Sequence, residues 1–154
     1  IQKQQLSYYT VLGLLADEGE FGEDNIVKVK DEKGTEYDVI YSNCVVNGQD
    51  YGYAFVAPGP GGYGGTLSIV IGMDLDGNIL GVYPLDISNE TPGLGQNASG
   101  PFKDQFVGHN ASEKEIKVNK DGGVIDSMSG ATITSRAVAK AVTLAMQAYG
   151  EVAK

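Results

Sequence analysis

Five hydroxyl side chains crowd into the ten residues Asp126-Ser127-Met128-Ser129-Gly130-Ala131-Thr132-Ile133-Thr134-Ser135, where a long helical pattern begins. The first turn of a helix leaves backbone N–H groups unpaired and carries a positive local field, so this run can hold a phosphate. Ser129 and Thr134 are the candidate hydrogen-bonding groups, and Gly130 permits an unusual backbone angle in the approach. The same groups would serve as a helix cap, with Ser127 or Ser129 accepting an early amide proton; the two roles do not exclude each other. Asp126 is ill suited to touch phosphate, because like charges repel, and a turn or capping role fits it better.

Little else in the chain offers chemistry. There is one histidine and one cysteine, too few for a zinc or iron–sulfur site, and no loop has the ligand spacing of an EF-hand. His109 follows Gly108 in a polar stretch without a visible catalytic pair, and Cys44 sits in a strand-like run where a structural role suffices. Eleven basic residues against twenty acidic ones give a net charge of -9, which opposes binding to nucleic acid and to an anionic membrane face. The Gly-rich dinucleotide fingerprint is absent, so the chain does not itself read as a nicotinamide binder. Arg136 has two readings, facing a phosphate or lying on an exposed helix side.

The elements that must position the hydroxyl run are a set of hairpins and one long helix. Residues 5–17 carry Leu6, Tyr9, Val11, Leu14 and Leu15 in a pattern that predicts a helix packed by one face. Short strands are expected at Ile26–Lys30 and Tyr37–Val46, then after the Asn47-Gly48 turn through Tyr51, Tyr53 and Phe55. The stretch Pro58–Gly65 is too rich in glycine for core or helix and reads as a loop, either a bare connection or a place where backbone approaches a planar ligand. Thr66–Asp74 and Ile79–Ile87 form the clearest hairpin, around Asp76-Gly77, and Glu115–Val118 is expected as one more short strand. Ile133, Ala137, Val138, Ala141, Val142, Ala145, Met146 and Tyr149 recur at helical spacing and predict the closing helix. The expected fold class is α+β, an antiparallel sheet with flanking helices. Its length suits one domain, divided into an N-terminal helical segment over 1–25 and the main domain over 26–154.

A second distinctive run lies upstream at Glu90-Thr91-Pro92-Gly93-Leu94-Gly95, followed by Phe102 and Phe106-Val107-Gly108. Together with Asp126-Ser127-Met128-Ser129-Gly130-Ala131-Thr132, it resembles the FMN-binding domains of the RnfG/NqrC family. The resemblance covers roughly residues 50–150 and is vague before that. It implies FMN joined by its phosphate to the threonine after Gly-Ala, here Thr132, by a separate FAD-dependent FMN transferase, with Asp126 in the recognition sequence. Glu90, Thr91 and Leu94, the backbones of Gly93 and Gly95, and the first helical turn with Ala131 and Ile133 would border the isoalloxazine ring. Tyr63, in its glycine-rich loop, is a weaker candidate.

The short length, the Tyr53-Ala54-Phe55 strand, the Gly61–Gly65 loop and the compact path from Gly95 to Gly108 look more like RnfG than NqrC. Ser88 departs from the commonest RnfG pattern, in which a histidine often stands there. What the resemblance then implies is an electron-transfer subunit of an Rnf-type ion-translocating ferredoxin:NAD oxidoreductase, working with other membrane subunits. The expected place is a bacterial or archaeal cell membrane, with the soluble domain on the extracytoplasmic side. The start at Ile1-Gln2-Lys3-Gln4 reads as an internal cut after an anchoring helix, and no apolar run here approaches the roughly 20 residues that span a bilayer. The alternatives are an NqrC-like subunit of a sodium-translocating NADH:quinone reductase, the flavin domain of a multidomain reductase, or a sensory or structural domain.

Overall fold

The computed structural model describes residues 11–12, 19–31, 33–62, 65–84, 101–113, 115–127 and 132–152. Alternating apolar residues are drawn into six strands: β1 (Glu20–Phe21), β2 (Asn25–Lys30), β3 (Glu36–Val46), β4 (Gln49–Gly62), β5 (Gly65–Asp74) and β6 (Ile79–Pro84). All pair antiparallel in one sheet of order β1-β3-β4-β5-β6, with β2 beside β1 along the same edge of β3. The Asn47-Gly48 turn, with φ of 53° and 78°, has the two left-handed residues that a tight hairpin between β3 and β4 needs. Its register leads to the row Tyr41, Phe55, Ile71 and Val82 across four strands.

After the sheet come a short helix, α1 (Pro101–Asp104), two single 3-10 turns at Ala111–Glu113 and Asn119–Asp121, and the long helix α2 (Thr132–Val152). The 21 residues of α2 lie on one sheet face, chiefly over β4 and β5. Small side chains bring the two backbones close: a Cβ placed on Gly59 would stand 2.6 Å from the Ala137 carbonyl oxygen. The main core fills the space between, with Phe55, Ile69, Ile71 and Met73 from the sheet and Val138, Val142, Leu144 and Met146 from the helix. Each such side chain removed from water contributes about 1.5–3 kcal/mol.

The opposite face is also covered. Ala54, Val56 and Val70 point there, alternating with Phe55, Ala57 and Ile69, and they pack with Cys44 beneath the helical residues Val11 and Leu12. Gly72 and Gly81 are cross-strand partners, and a Cβ on either would stand 2.5 Å or 2.7 Å from the Val11 carbonyl oxygen. The cover therefore rests directly on sheet backbone.

Three features depart from the sequence expectations. Pro58–Gly62 is the end of β4 rather than a loop, paired through Pro58↔Ser68 and Gly59↔Leu67, and β5 begins at Gly65. The prolines are tolerated because β3 pairing stops at Val56, so no second ladder demands their missing N–H groups. Glu115–Val118 makes only an isolated parallel bridge, Val118 to Ile125. The reason is local: the Thr143 hydroxyl donates to the Ile116 carbonyl and accepts from its N–H, both at 3.0 Å, doing the work of a neighbouring strand. The division expected at residue 25 runs through the sheet, since β1 precedes it and Asn25 opens β2. Among residues 5–17, only Val11 and Leu12 are described, and both are helical.

Candidate functional site

Thr132 is the first residue of α2, with Thr134 and Ser135 in the same first turn. Helical rotation sorts its side chains sharply. Thr134 and Ser135 are fully buried against the sheet, whereas Thr132 is partly exposed and Ile133 is 38% exposed. Of the described hydroxyls in this first turn, Thr132 alone is not buried. Its position also gives it the positive end of a 21-residue helix, which favours a phosphate.

The chain leading to Thr132 is held by two side-chain amides. Gln105 holds the backbone of one residue at two points: its Oε1 accepts from the Asp126 N–H at 2.7 Å and its Nε2 donates to the Asp126 carbonyl at 2.9 Å. Asn119 takes the next residue, its Oδ1 accepting from the Ser127 hydroxyl at 2.9 Å and from the Ser127 N–H at 3.4 Å. The Asn119 Nδ2 also donates to the Asp126 carboxylate at 3.4 Å. The Asp126 side chain thus takes part in the turn before the helix, the role chemistry favours for it. Buried Ile125 anchors the turn from below.

Gln105 is carried just after α1, between Phe102 and Phe106, whose rings meet edge to face at 5.6 Å and are both buried in the main core. Nothing in the spacing of the sequence marks Gln105 or Asn119 as partners of residues 126 and 127. The only legible signal is the pair of aromatic anchors that fixes Gln105 in place.

One turn along α2, Arg136 is claimed by Asp121: Nε lies 3.0 Å and 3.2 Å from its two carboxylate oxygens, and Nη2 lies 3.0 Å from one of them. Of its two sequence readings, the exposed helix side is the one seen. A further turn along, Lys140 reaches Asp31 at 2.9 Å and lies over the Tyr37 ring. The Lys140 hydrogen bond, with help from the Thr35 and Lys33 amides, holds the Asp31 carboxyl below the usual carboxylate range. These pairs line a cleft of about 830 Å³ beside α2 that also includes Ile133 and Lys117.

Glu90, Thr91, Gly93, Leu94 and Gly95 lie outside the described residues, as do Tyr63, Ser88, Ser129, Gly130 and Ala131. In sequence, the described chain ends at Pro84 in β6 before the Glu90–Gly95 motif and resumes at α1 after it. His109 pairs with Glu113 at 3.0 Å, and the Glu113 carboxyl is held low by the Asn110 amide and, less strongly, by His109. Burial pushes the Cys44 thiol up to about 11. Neither residue lies in the turn that carries Thr132. Among the described residues no cluster of three or more His, Cys, Asp and Glu is placed to hold a metal, and no helix is long and apolar enough to cross a membrane.

Comparison with known proteins matches residues 62–147 to the family described as FMN-binding domain. The chain is 41% identical over 130 residues to the G subunit of the ion-translocating oxidoreductase complex of Aliivibrio fischeri strain ES114, covering 80% of this chain and 61% of that protein. It is 39% identical over 123 residues to the corresponding protein of Vibrio atlanticus, which carries the same description, covering 76% and 58% respectively. The G subunit of the Na(+)-translocating ferredoxin:NAD(+) oxidoreductase complex of Acetobacterium woodii is 39% identical over 112 residues, covering 70% and 54%. The chain thus spans between half and two thirds of the length of these relatives. The matched span takes in the end of β4, the hairpin β5–β6, the anchored turn at Asp126 and most of α2, and the chain belongs to the FMN-binding domain family.

Proposed function

We propose that this domain carries FMN as a phosphoester on Thr132 and serves as an electron-transfer subunit of an Rnf-type ion-translocating ferredoxin:NAD oxidoreductase. The observation that carries the attachment is the sorting of hydroxyls in the first turn of α2, where Thr132 is partly exposed while Thr134 and Ser135 are buried. A helix N-terminus with a partly exposed hydroxyl fits a phosphate ester, since the helix field offsets its charge. Bound FMN would supply the redox chemistry, and the protein supplies attachment, orientation and electrostatic surroundings.

In the attachment step the Thr132 oxygen forms a bond to the FMN-side phosphorus of FAD, the bond to the AMP portion breaks, and AMP leaves. The hydroxyl proton passes to a base on the transferase, because the sequence around Thr132 offers no obvious base of its own. Asp126, held in the turn by Gln105 and Asn119, is suited to recognition by that transferase. Ser129, with the backbone of Gly130 and Ala131, and the backbone of Thr134 would hold the phosphate; Ile133, Glu90, Thr91, Gly93, Leu94 and Gly95 would border the ring. The names of the relatives support the assembly role. In that role the domain would work with other membrane subunits, on the extracytoplasmic side and behind an N-terminal anchor.

The test is co-expression with an active FAD-dependent FMN transferase, followed by intact and peptide-resolved mass spectrometry of the parent and Thr132→Ala. FMN less water on the peptide containing Thr132, absent from the alanine variant, is the expected result. Flavin that co-purifies but is released on denaturation would replace the phosphoester with reversible binding.

A further inference from the structure

We propose that Gln105 is a positioning residue for flavin attachment, tying the segment that follows the Glu90–Gly95 motif to the turn that presents Thr132. This inference rests on the attachment reading above. Its ground is the two-point contact of the Gln105 amide with a single residue's backbone, 2.7 Å to the Asp126 N–H and 2.9 Å to the Asp126 carbonyl, across 21 residues of sequence. A carboxamide matches the donor and acceptor of a backbone as a neighbouring strand would. It thereby fixes the direction of the chain six residues before Thr132.

Gln105 is itself held rigidly. Phe102 and Phe106 on either side are buried, and Phe106 is fully enclosed. The backbone of the same segment is also tied to the sheet, since the Gly108 N–H donates to the Ile79 carbonyl at 3.0 Å and the Ile79 N–H to the His109 carbonyl at 2.8 Å. Gln105 thus joins a segment fixed to the sheet with the residues that lead to Thr132. Asn119 extends the hold by one residue through Ser127.

A mere loop staple and a positioning residue differ in what they affect. Both bonds are exposed to water, where a neutral hydrogen bond makes a small net contribution to folding. Loss of the clamp should therefore leave the fold in place while letting the turn before α2 swing. Reaction at phosphorus needs an aligned attacking oxygen, and small misplacements lower the rate steeply.

The experiment measures kcat and KM of the FAD-dependent transferase with the parent chain, Gln105→Met and Gln105→Glu as acceptors, with circular dichroism melts on each. Methionine removes both bonds at similar length; glutamate keeps an acceptor and loses the donor. We expect kcat to fall by about tenfold with Gln105→Met, while KM stays within about twofold, as expected for lost orientation rather than lost binding. Gln105→Glu should also be slower than the parent, and it decides the question if the methionine variant does not fold. Attachment at the parent rate in a folded variant, a change confined to KM, or loss of the fold in both variants would each overturn the positioning role. Absence of label on the parent would instead overturn the phosphoester reading, and this inference with it.

Discussion

The two faces of the sheet are built on opposite plans. One buries large side chains under a 21-residue helix and carries Thr132 at the helix start; among the described residues, the other buries Cys44, Ala54, Val56 and Val70 beneath Val11 and Leu12, which rest on the backbone of Gly72 and Gly81. Neighbouring residues of one strand serve both, Phe55 facing the helix and Val56 the side of Val11 and Leu12. Among the described residues, the contrast teaches that the largest buried side chains and Thr132 share the helix face.

The sharpest way to break this comparison is to truncate the two neighbours. Phe55→Ala should cost about 3–5 kcal/mol, as for other fully buried aromatic residues. Val56→Ala should cost about 1–2 kcal/mol on the basis of two methyl groups. Urea unfolding of both variants checks the ratio, and equal losses would abolish the distinction between the faces.

Filling the glycine notch should act next. A side chain at Gly72 meets the Val11 carbonyl, so Gly72→Val is expected to lift the Val11–Leu12 cover at a cost of about 1–3 kcal/mol. Cys44 reports the event, because it lies in the same cluster and its thiol is buried and pushed up to about 11. Thiol alkylation at neutral pH should be slow in the parent and clearly faster in Gly72→Val, while amides in the middle of α2 keep their exchange protection. Unchanged alkylation would mean that the cover does not rest on the notch.

A smaller effect separates the faces by pH. Asp31 ties the β2–β3 turn to α2 through Lys140, and its carboxyl is lowered in the folded state. A lowered carboxyl contributes stability that is fully present above its unfolded value of about 3.9 and is lost as pH falls through the folded value. Asp31→Asn should therefore lower stability at neutral pH and flatten its decline on acidification below about pH 4, as read by thermal melts across that range. The change should spare Cys44 alkylation, because the pair belongs to the helix face. Smallest of all is Arg136→Ala: its pair with Asp121 is half exposed, and the loss should stay below about 1 kcal/mol in the same melts.

Much of this organisation was legible in the order of residues. The hairpins around Asn47-Gly48 and Asp76-Gly77, the closing helix and the α+β antiparallel class follow from alternation, turn residues and helical spacing, all of which are local. Pro58–Gly62 misled because its composition is that of a loop, while its pairing depends on β5 and on β3 having already ended. Glu115–Val118 misled in the other direction: its alternation is real, with Ile116 and Val118 buried, but a threonine of α2 takes the place of a strand partner.

The sequence by itself determined the family, through two motifs whose residues are fixed by chemistry, and it singled out Thr132 as the attachment candidate. Tertiary structure decided that Thr134 and Ser135 are buried while Thr132 is partly exposed, because exposure depends on how α2 is rotated against the sheet. It also decided that Arg136 answers Asp121 and that Gln105 grips Asp126. Those contacts join residues 15 and 21 positions apart, and their geometry exists only after the core has set the distance between the elements that bear them.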